Sequence, residues 1–253
     1  MPQDMVGDLA GLGAFFAVDV HPAGAEPGPP WRPGRELAEP FGPLLGRTES
    51  VRAALAGRGG CPPGDIELRV AASVMHLGLT ARLVSPALAA LAGRGRLDLR
   101  LDGLWWQDTA GGPVPLSVPD PGGGGWPTAG RTAEDDCGQL VDEVLAPVTE
   151  AVSGLVPVSP RVLWGNVASA VNGAAGMVAA QRADLGQQAW AVAAAFFRSP
   201  KLGREHRPPG PSFRRSSCCL IYRLAPSAGP RAVCGDCVLR DVPRAGPGAG
   251  QAS

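Results

Sequence analysis

The sequence predicts a mainly α protein of the α+β kind: a helical body, a small β-hairpin and a small irregular C-terminal segment. Three observations predict it. Apolar residues recur at intervals of three and four over long stretches, strict alternation is confined to one short stretch, and four of the six cysteines crowd into the final part of the chain.

In chain order, Leu9 to Pro33 is poorly periodic and carries Pro22, Pro27, Pro29, Pro30 and Pro33, so it is expected to wrap the surface. A short helix is predicted over Arg47 to Gly57. Val70, Val74, Leu77, Ala81 and Val84 predict an amphipathic helix over Arg69 to Val84. Ser85-Pro86 should end it and start another that runs to Gly93, with Ser as cap and Pro in the first turn. Leu97-Asp-Leu-Arg-Leu-Asp102 alternates as a strand does, and Leu104-Trp105-Trp106 extends it to a turn at Thr109 to Gly112. Pro113 to Val118 is the returning strand. Pro119 to Pro127 reads as a flexible connector. Thr132 with Asp135 forms a capping box for a helix whose face is Leu140, Val141, Val144, Leu145 and Val148, kinked or broken at Pro147. Ser159-Pro160 starts a further helix with Leu163, Trp164, Val167, Val171, Ala174 and Val178 on one face. The small residues Gly165, Ala168, Gly173 and Gly176 allow it close packing. Another helix carries Trp190, Ala194 and Phe197. The chain thus divides into residues 1–118, a helical part with the hairpin; 119–130, the connector; 131–200, the helical body; 201–242, the cysteine-rich segment; and 243–253, a Gly/Ala/Pro-rich tail expected to be disordered.

At 253 residues and 45% apolar composition the chain can bury a real core. Its formal net charge is zero, which argues against a nucleic-acid partner. The charge is unevenly spread: Arg198 to Arg244 holds ten Lys/Arg against Glu205, Asp236 and Asp241. Met1 to Gly13 has no Lys or Arg and no export-type apolar core. The Ala-rich region is interrupted by Gln181, Arg182, Asp184 and Gln187-Gln188, so no stable membrane insertion is expected. A cytoplasmic setting follows as the expectation, and there clustered cysteines serve as ligands more often than as disulfides.

Those cysteines are Cys218, Cys219, Cys234 and Cys237. Four thiolates select zinc or an iron-sulfur cluster over hard cations. Only Cys234 and Cys237 have the Cys-x2-Cys spacing of a zinc turn. Adjacent residues on a regular strand point to opposite faces, so Cys218 and Cys219 can face one centre only where the backbone turns. A two-iron cluster is broader than one ion and tolerates such a pair.

Phe213-Arg214-Arg215-Ser216-Ser217-Cys218-Cys219-Leu220-Ile221-Tyr222-Arg223, followed by Cys234-Gly235-Asp236-Cys237-Val238-Leu239, resembles the C-terminal signature of the FhuF-type ferric-siderophore reductases. Weaker similarity extends to Leu83-Val84-Ser85-Pro86-Ala87-Leu88 and to Leu163-Trp164-Gly165-Asn166-Val167-Ala168-Ser169-Ala170. The resemblance implies a 2Fe-2S cluster on the four cysteines, thiolate-ligated in the general iron-sulfur manner, with about ten residues between the pair and the closing Cys-x2-Cys. This chain has fourteen there, Leu220 to Val233, the extra residues falling in the turn-rich tract Ala225 to Pro230. It further implies one-electron reduction of Fe(III) in a siderophore complex. No complete dinucleotide fingerprint follows a strand, so the electron would come from an external ferredoxin, flavoprotein or thiol system.

Arg214, Arg215 and Arg223 are candidates for offsetting cluster charge and holding an anionic complex, with His206 as a further substrate contact. No catalytic acid or nucleophile is required. Asp236 should shape the Cys-x2-Cys turn. His21 and His76 are weak candidates. Cys61 and Cys137 lack spaced partners and read as free thiols, and Trp105-Trp106 reads as hairpin core. Two other classes stay open: a helical binding protein stapled by a structural zinc ion, and a siderophore-handling protein that does not turn over iron.

Overall fold

The computed structural model describes residues 2–122, 130–203, 209–224 and 233–238. Helix α1 (Pro2–Gly11) opens the chain and leads through a tight turn into strand β1 (Asp19–His21). Leu9, Leu12, Phe16 and Val18 are buried, so this stretch supplies core rather than wrapping the surface. Its prolines mark where it leaves the interior. Strand β2 (Arg32–Pro33) and a 3-10 turn follow, then α2 (Leu44–Gly59), closed by Gly60 in the left-handed conformation.

Helix α3 (Leu68–Ala92) runs without interruption through Ser85-Pro86, where the sequence predicts a break. Both residues are buried, and the Ser85 hydroxyl donates to the Ala81 carbonyl at 2.7 Å. Packing on nearly every side outweighs the roughly 3 kcal/mol that an interior proline costs a helix. The same packing widens the buried face well past the expected stripe: Ala71, Ala72, Ser73, Met75, His76 and Leu79 are buried, while Val74, Leu77 and Ala81 lie only part-covered at its edge.

The alternating run Leu97 to Asp102 forms no ladder, although Leu97 and Leu99 are buried as its pattern requires. The hairpin lies just beyond, with β3 (Trp105–Trp106) antiparallel to β4 (Leu116–Pro119), so that Trp105 pairs with Ser117. Strands β2 and β1 flank it in the order β1-β4-β3-β2, β1 lying parallel to β4. Trp106, Leu116 and Val118 are fully buried. Arg82 of α3 fastens this sheet, donating to the Val114 carbonyl at 2.7 Å, to Phe15 at 3.0 Å and to Ala17. Residues 123–129 of the expected connector and all of the 243–253 tail lie outside the described residues.

Thr132 and Asp135 make the expected capping box at the start of α4 (Ala133–Leu140). One π-helical turn, Val141–Leu145, joins it to α5 (Ala146–Leu155), with the Ala146 N–H bonded to the Val141 carbonyl. This wide turn absorbs Pro147, which sits in the first turn of α5. Ser159 caps α6 (Pro160–Gln181), accepting from the Arg161 N–H at 3.3 Å. Of the expected face, Leu163, Val167, Val171, Ala174 and Val178 are buried, chiefly against α3, while Trp164 is only half-buried. In α7 (Gly186–Phe197) the buried stripe is Ala189, Val192, Ala193 and Phe196, one position off the expected Trp190, Ala194 and Phe197. The short α8 (Pro200–Gly203) ends the helical part. The protein is mainly α with a small mixed sheet. Helices α3 and α6 are long and apolar enough to cross a membrane, but 72% and 56% of their most apolar windows are buried inside the protein.

Candidate metal centre

The described residues of the cysteine segment, 209–224 and 233–238, carry one short 3-10 turn and are laid over α3 and α6. Phe213 anchors its start, buried and edge-on to Phe197 with ring centroids 5.7 Å apart. The chain then passes α6 where Gly165 leaves room. A Cβ there would stand 3.0 Å from Arg215 Nη2 and collide with Ser217 Oγ. Ser217 donates to the Arg161 carbonyl at 2.9 Å, which holds the residue before the cysteine pair against the first turn of α6.

Immediately after Cys219 the backbone turns. Leu220 has φ of 67°, a left-handed conformation costing a non-glycine residue about 1–2 kcal/mol. Its N–H folds back to Cys218 Sγ at 3.3 Å, and a 3-10 turn, Ile221–Leu224, follows. The backbone thus turns directly after the adjacent cysteines. Ser73 of α3 fixes it from below, donating to the Cys219 carbonyl at 2.9 Å. The second cysteine turn closes with a Cys237 N–H to Cys234 carbonyl bond of 3.2 Å. It is pinned twice by Asp236: the carboxylate accepts from Ser169 of α6 at 2.5 Å, and the carbonyl accepts from the Arg215 N–H at 3.0 Å.

The two halves of the motif meet sulfur to sulfur, with Cys219 Sγ 3.4 Å from Cys234 Sγ. Two thiolates on one tetrahedral ion, with bonds of about 2.3 Å, stand about 3.8 Å apart, so this pair fits a shared metal. Interaction with Cys234 lowers the Cys219 thiol, against the opposing effect of burial, and raises Cys234. Burial raises Cys218, and the nearby Cys219 and Cys237 raise it further. Cys219 and Cys237 are buried, Cys218 and Cys234 half-exposed. Among the described residues no three His, Cys, Asp or Glu side chains converge as a metal-ligating group, so the structure brings together a pair rather than the expected quartet.

Arg215 is 2% exposed and lies on α6, not on the surface. Its Nη2 donates to Asn166 Oδ1 at 2.7 Å and to the Val162 carbonyl at 3.2 Å, while Nε and Nη1 are buried without partners. A buried guanidinium with two unused donors within electrostatic reach of Cys218 and Cys219 is an environment that suits a negatively charged thiolate-metal group. Asn166 also donates to the Ser73 carbonyl at 2.9 Å and to Ser73 Oγ at 3.2 Å, so one amide ties Arg215 to the helix that holds Cys219. Arg214 is half-buried and donates to the Phe213 carbonyl at 2.9 Å. Arg223 is exposed and paired with Glu67 at the start of α3. His206 and the tract Ala225 to Pro230 lie outside the described residues.

The remaining candidates are structural. His21 is buried in β1, its Nδ1 2.8 Å from Ser117 Oγ. His76 is fully buried, its Nε2 3.1 Å from Thr149 Oγ1; burial, aided by the Arg215 charge, lowers it to about 3. Cys137 is fully buried and pushed up to about 12 by burial, and Cys61 is a half-exposed free thiol.

Sequence reasoning overlooked Ser73, Asn166, Ser169 and Leu220, and gave Gly165 only a packing role. Asn166 carried a readable signal, an amide within an apolar helical run. Gly165, Asn166 and Ser169 all fall in the stretch Leu163 to Ala170, and each meets the cysteine segment. No family model matches the chain, and no curated protein matches it.

Proposed function

We propose that this protein is a 2Fe-2S ferric-siderophore reductase of the cytoplasm, taking its electron from an external ferredoxin, flavoprotein or thiol system. The observation that carries the reading is the sulfur contact between Cys219 and Cys234, one from each half of the motif, together with the buried Arg215 whose Nε and Nη1 have no hydrogen-bond partner. Cys218, Cys219, Cys234 and Cys237 would hold the cluster. When bound, a 2Fe-2S cluster supplies a one-electron relay between donor and substrate.

The chain's own contribution is to hold, shield and orient. Ser73 and Asp236 hold the two cysteine turns to α3 and α6. Buried Cys219 and Cys237 mark the side closed to water, and half-exposed Cys218 and Cys234 mark the side a donor or a siderophore can approach. Arg214, half-buried, and Arg223, paired with Glu67, stand close to the cysteine pair in the chain and would suit an anionic complex. The substrate ion gains one electron, Fe(III) becoming Fe(II), and the hard oxygens of a siderophore hold the softer ion far less tightly. No proton transfer or nucleophile is needed.

The sulfur spacing suits a single zinc ion as well, which keeps a zinc-stapled, non-enzymatic binding protein as the second reading. Optical and EPR spectra of anaerobically purified protein, before and after dithionite, separate the two when iron, sulfide and zinc are assayed on the same sample. Charge-transfer bands that bleach on reduction, lost in Cys234→Ser, support the reductase. Colourless protein with stoichiometric zinc and no sulfide sinks it.

A further inference from the structure

Two arginines are buried among the described residues, and they are served very differently. Arg82, 3% exposed, places its donors on the carbonyls of Val114, Phe15 and Ala17. Arg215, 2% exposed, has only Nη2 engaged, on Val162 and Asn166, and leaves Nε and Nη1 buried and unpaired. An unsatisfied buried donor costs about 1–3 kcal/mol, more when the group is charged. Among the described residues no carboxylate pairs with this guanidinium, although Asp236 is close enough for its carbonyl to accept the Arg215 N–H. Asp236 instead turns its carboxylate to Ser169.

We propose that Arg215 is a positioning residue for the cysteine centre, a fixed buried cation whose spare donors and field serve an anionic thiolate-bound group and set how readily that group accepts an electron. The proposal rests on the reductase reading for its electron, but not for its charge, because a four-thiolate zinc site is also anionic. Three features keep the cation in place. Gly165 makes room for it, Asn166 orients Nη2, and the same Asn166 bonds to Ser73, which holds the Cys219 carbonyl. The guanidinium also lies within electrostatic reach of Cys218 and Cys219.

The test compares wild type, Arg215→Lys and Arg215→Gln by redox titration followed optically, with iron, sulfide and zinc content and thermal melting measured on each. Removing the cation disfavours the more negative, reduced state. Arg215→Gln should shift the one-electron equilibrium about tenfold toward the oxidised form, about 59 mV, and Arg215→Lys should stay within about threefold. Failure of Arg215→Gln to load while Arg215→Lys loads, at comparable melting temperatures, also supports the role. A loaded Arg215→Gln with an unchanged potential overturns it, as does an equal loss of loading and folding in both variants, which would make Arg215 a packing residue. Zinc-loaded, colourless wild type sinks the reductase reading alone. The charge argument then predicts at least tenfold weaker zinc binding by Arg215→Gln than by Arg215→Lys, and equal affinities overturn it.

Discussion

The interface of α3 with α6 and the cysteine segment lying across it are in contact, yet they are held by different physics. Across the interface Leu83, Val84, Leu163, Val167 and Val171 are fully buried, and the stabilisation is spread over many apolar side chains. Beyond the buried Phe213 at their start, residues 209–224 and 233–238 have one short 3-10 turn and depend on a few directed contacts: Ser73 to Cys219, Ser217 to Arg161, Ser169 to Asp236, Arg215 to Asn166. A body held by area loses stability in proportion to the volume removed. A segment held by single bonds can detach from a body that stays folded. The two should therefore fail separately.

The largest effect tests the body. Phe196 is fully buried in α7, and Phe196→Ala should cost about 3–5 kcal/mol of global stability. Metal content per folded molecule should not change. Chemical denaturation with a parallel metal assay measures both, and parallel loss of the two breaks the distinction.

His76 lies on the seam, between Thr149 and the Asn166 amide, and its lowered pKa gives it an acid signature. The folded state keeps it neutral down to about 3, whereas the unfolded chain protonates it near 6.5. Its contribution is complete above that upper value and is lost as pH falls toward the lower, on the order of 5 kcal/mol across the window. His76→Gln should flatten the acid limb of a stability-against-pH curve by that amount. An unchanged limb would show that other groups govern acid unfolding.

Gly165→Ala tests the segment directly. The new methyl group meets Ser217 Oγ and Arg215 Nη2, so the Ser217 bond to Arg161 must break or the segment must shift. Loss of a hydrogen bond plus overpacking amounts to about 2–4 kcal/mol, confined to segment docking. Metal affinity should fall at least tenfold while helical circular dichroism stays unchanged. Loss of helical signal would mean that segment and body fold as one unit.

This division also explains what was legible in the sequence. Periodicity and caps report on area and on helix ends, so the Thr132 box, the Ser159 cap and the α6 face could be read directly. They fail where tertiary packing overrides local preference: Pro86 stays inside α3 because its neighbours bury it, and Leu97 to Leu101 alternates without finding a partner strand. The cysteine types and spacing announced a candidate metal centre, but the residues that hold it are spread from Ser73 to Asp236 and share no local pattern. A serine that donates to a distant carbonyl looks like any other serine until the fold is known.

The smallest effect lies at the rim. Glu67 precedes α3 and is shared by Arg69 and Arg223, which hold its carboxylate below the ordinary range. The pair with Arg223 is exposed and should be weakened by salt. Its contribution is present above the usual carboxylate pKa and lost as pH falls through the depressed folded value. Tyr222, the only tyrosine, sits beside Arg223, whose guanidinium lies 5.9 Å from its ring centroid. A fluorotyrosine label therefore gives a single ¹⁹F resonance that reports on the segment alone. Glu67→Gln should shift that resonance toward the position seen at high salt, with global stability and metal content unchanged. A segment held by a few buried bonds predicts that this exposed pair can be removed without release. If Glu67→Gln releases metal, the rim carries load assigned here to Ser73, Gly165 and Asn166, and the boundary between body and segment must move outward to include Glu67.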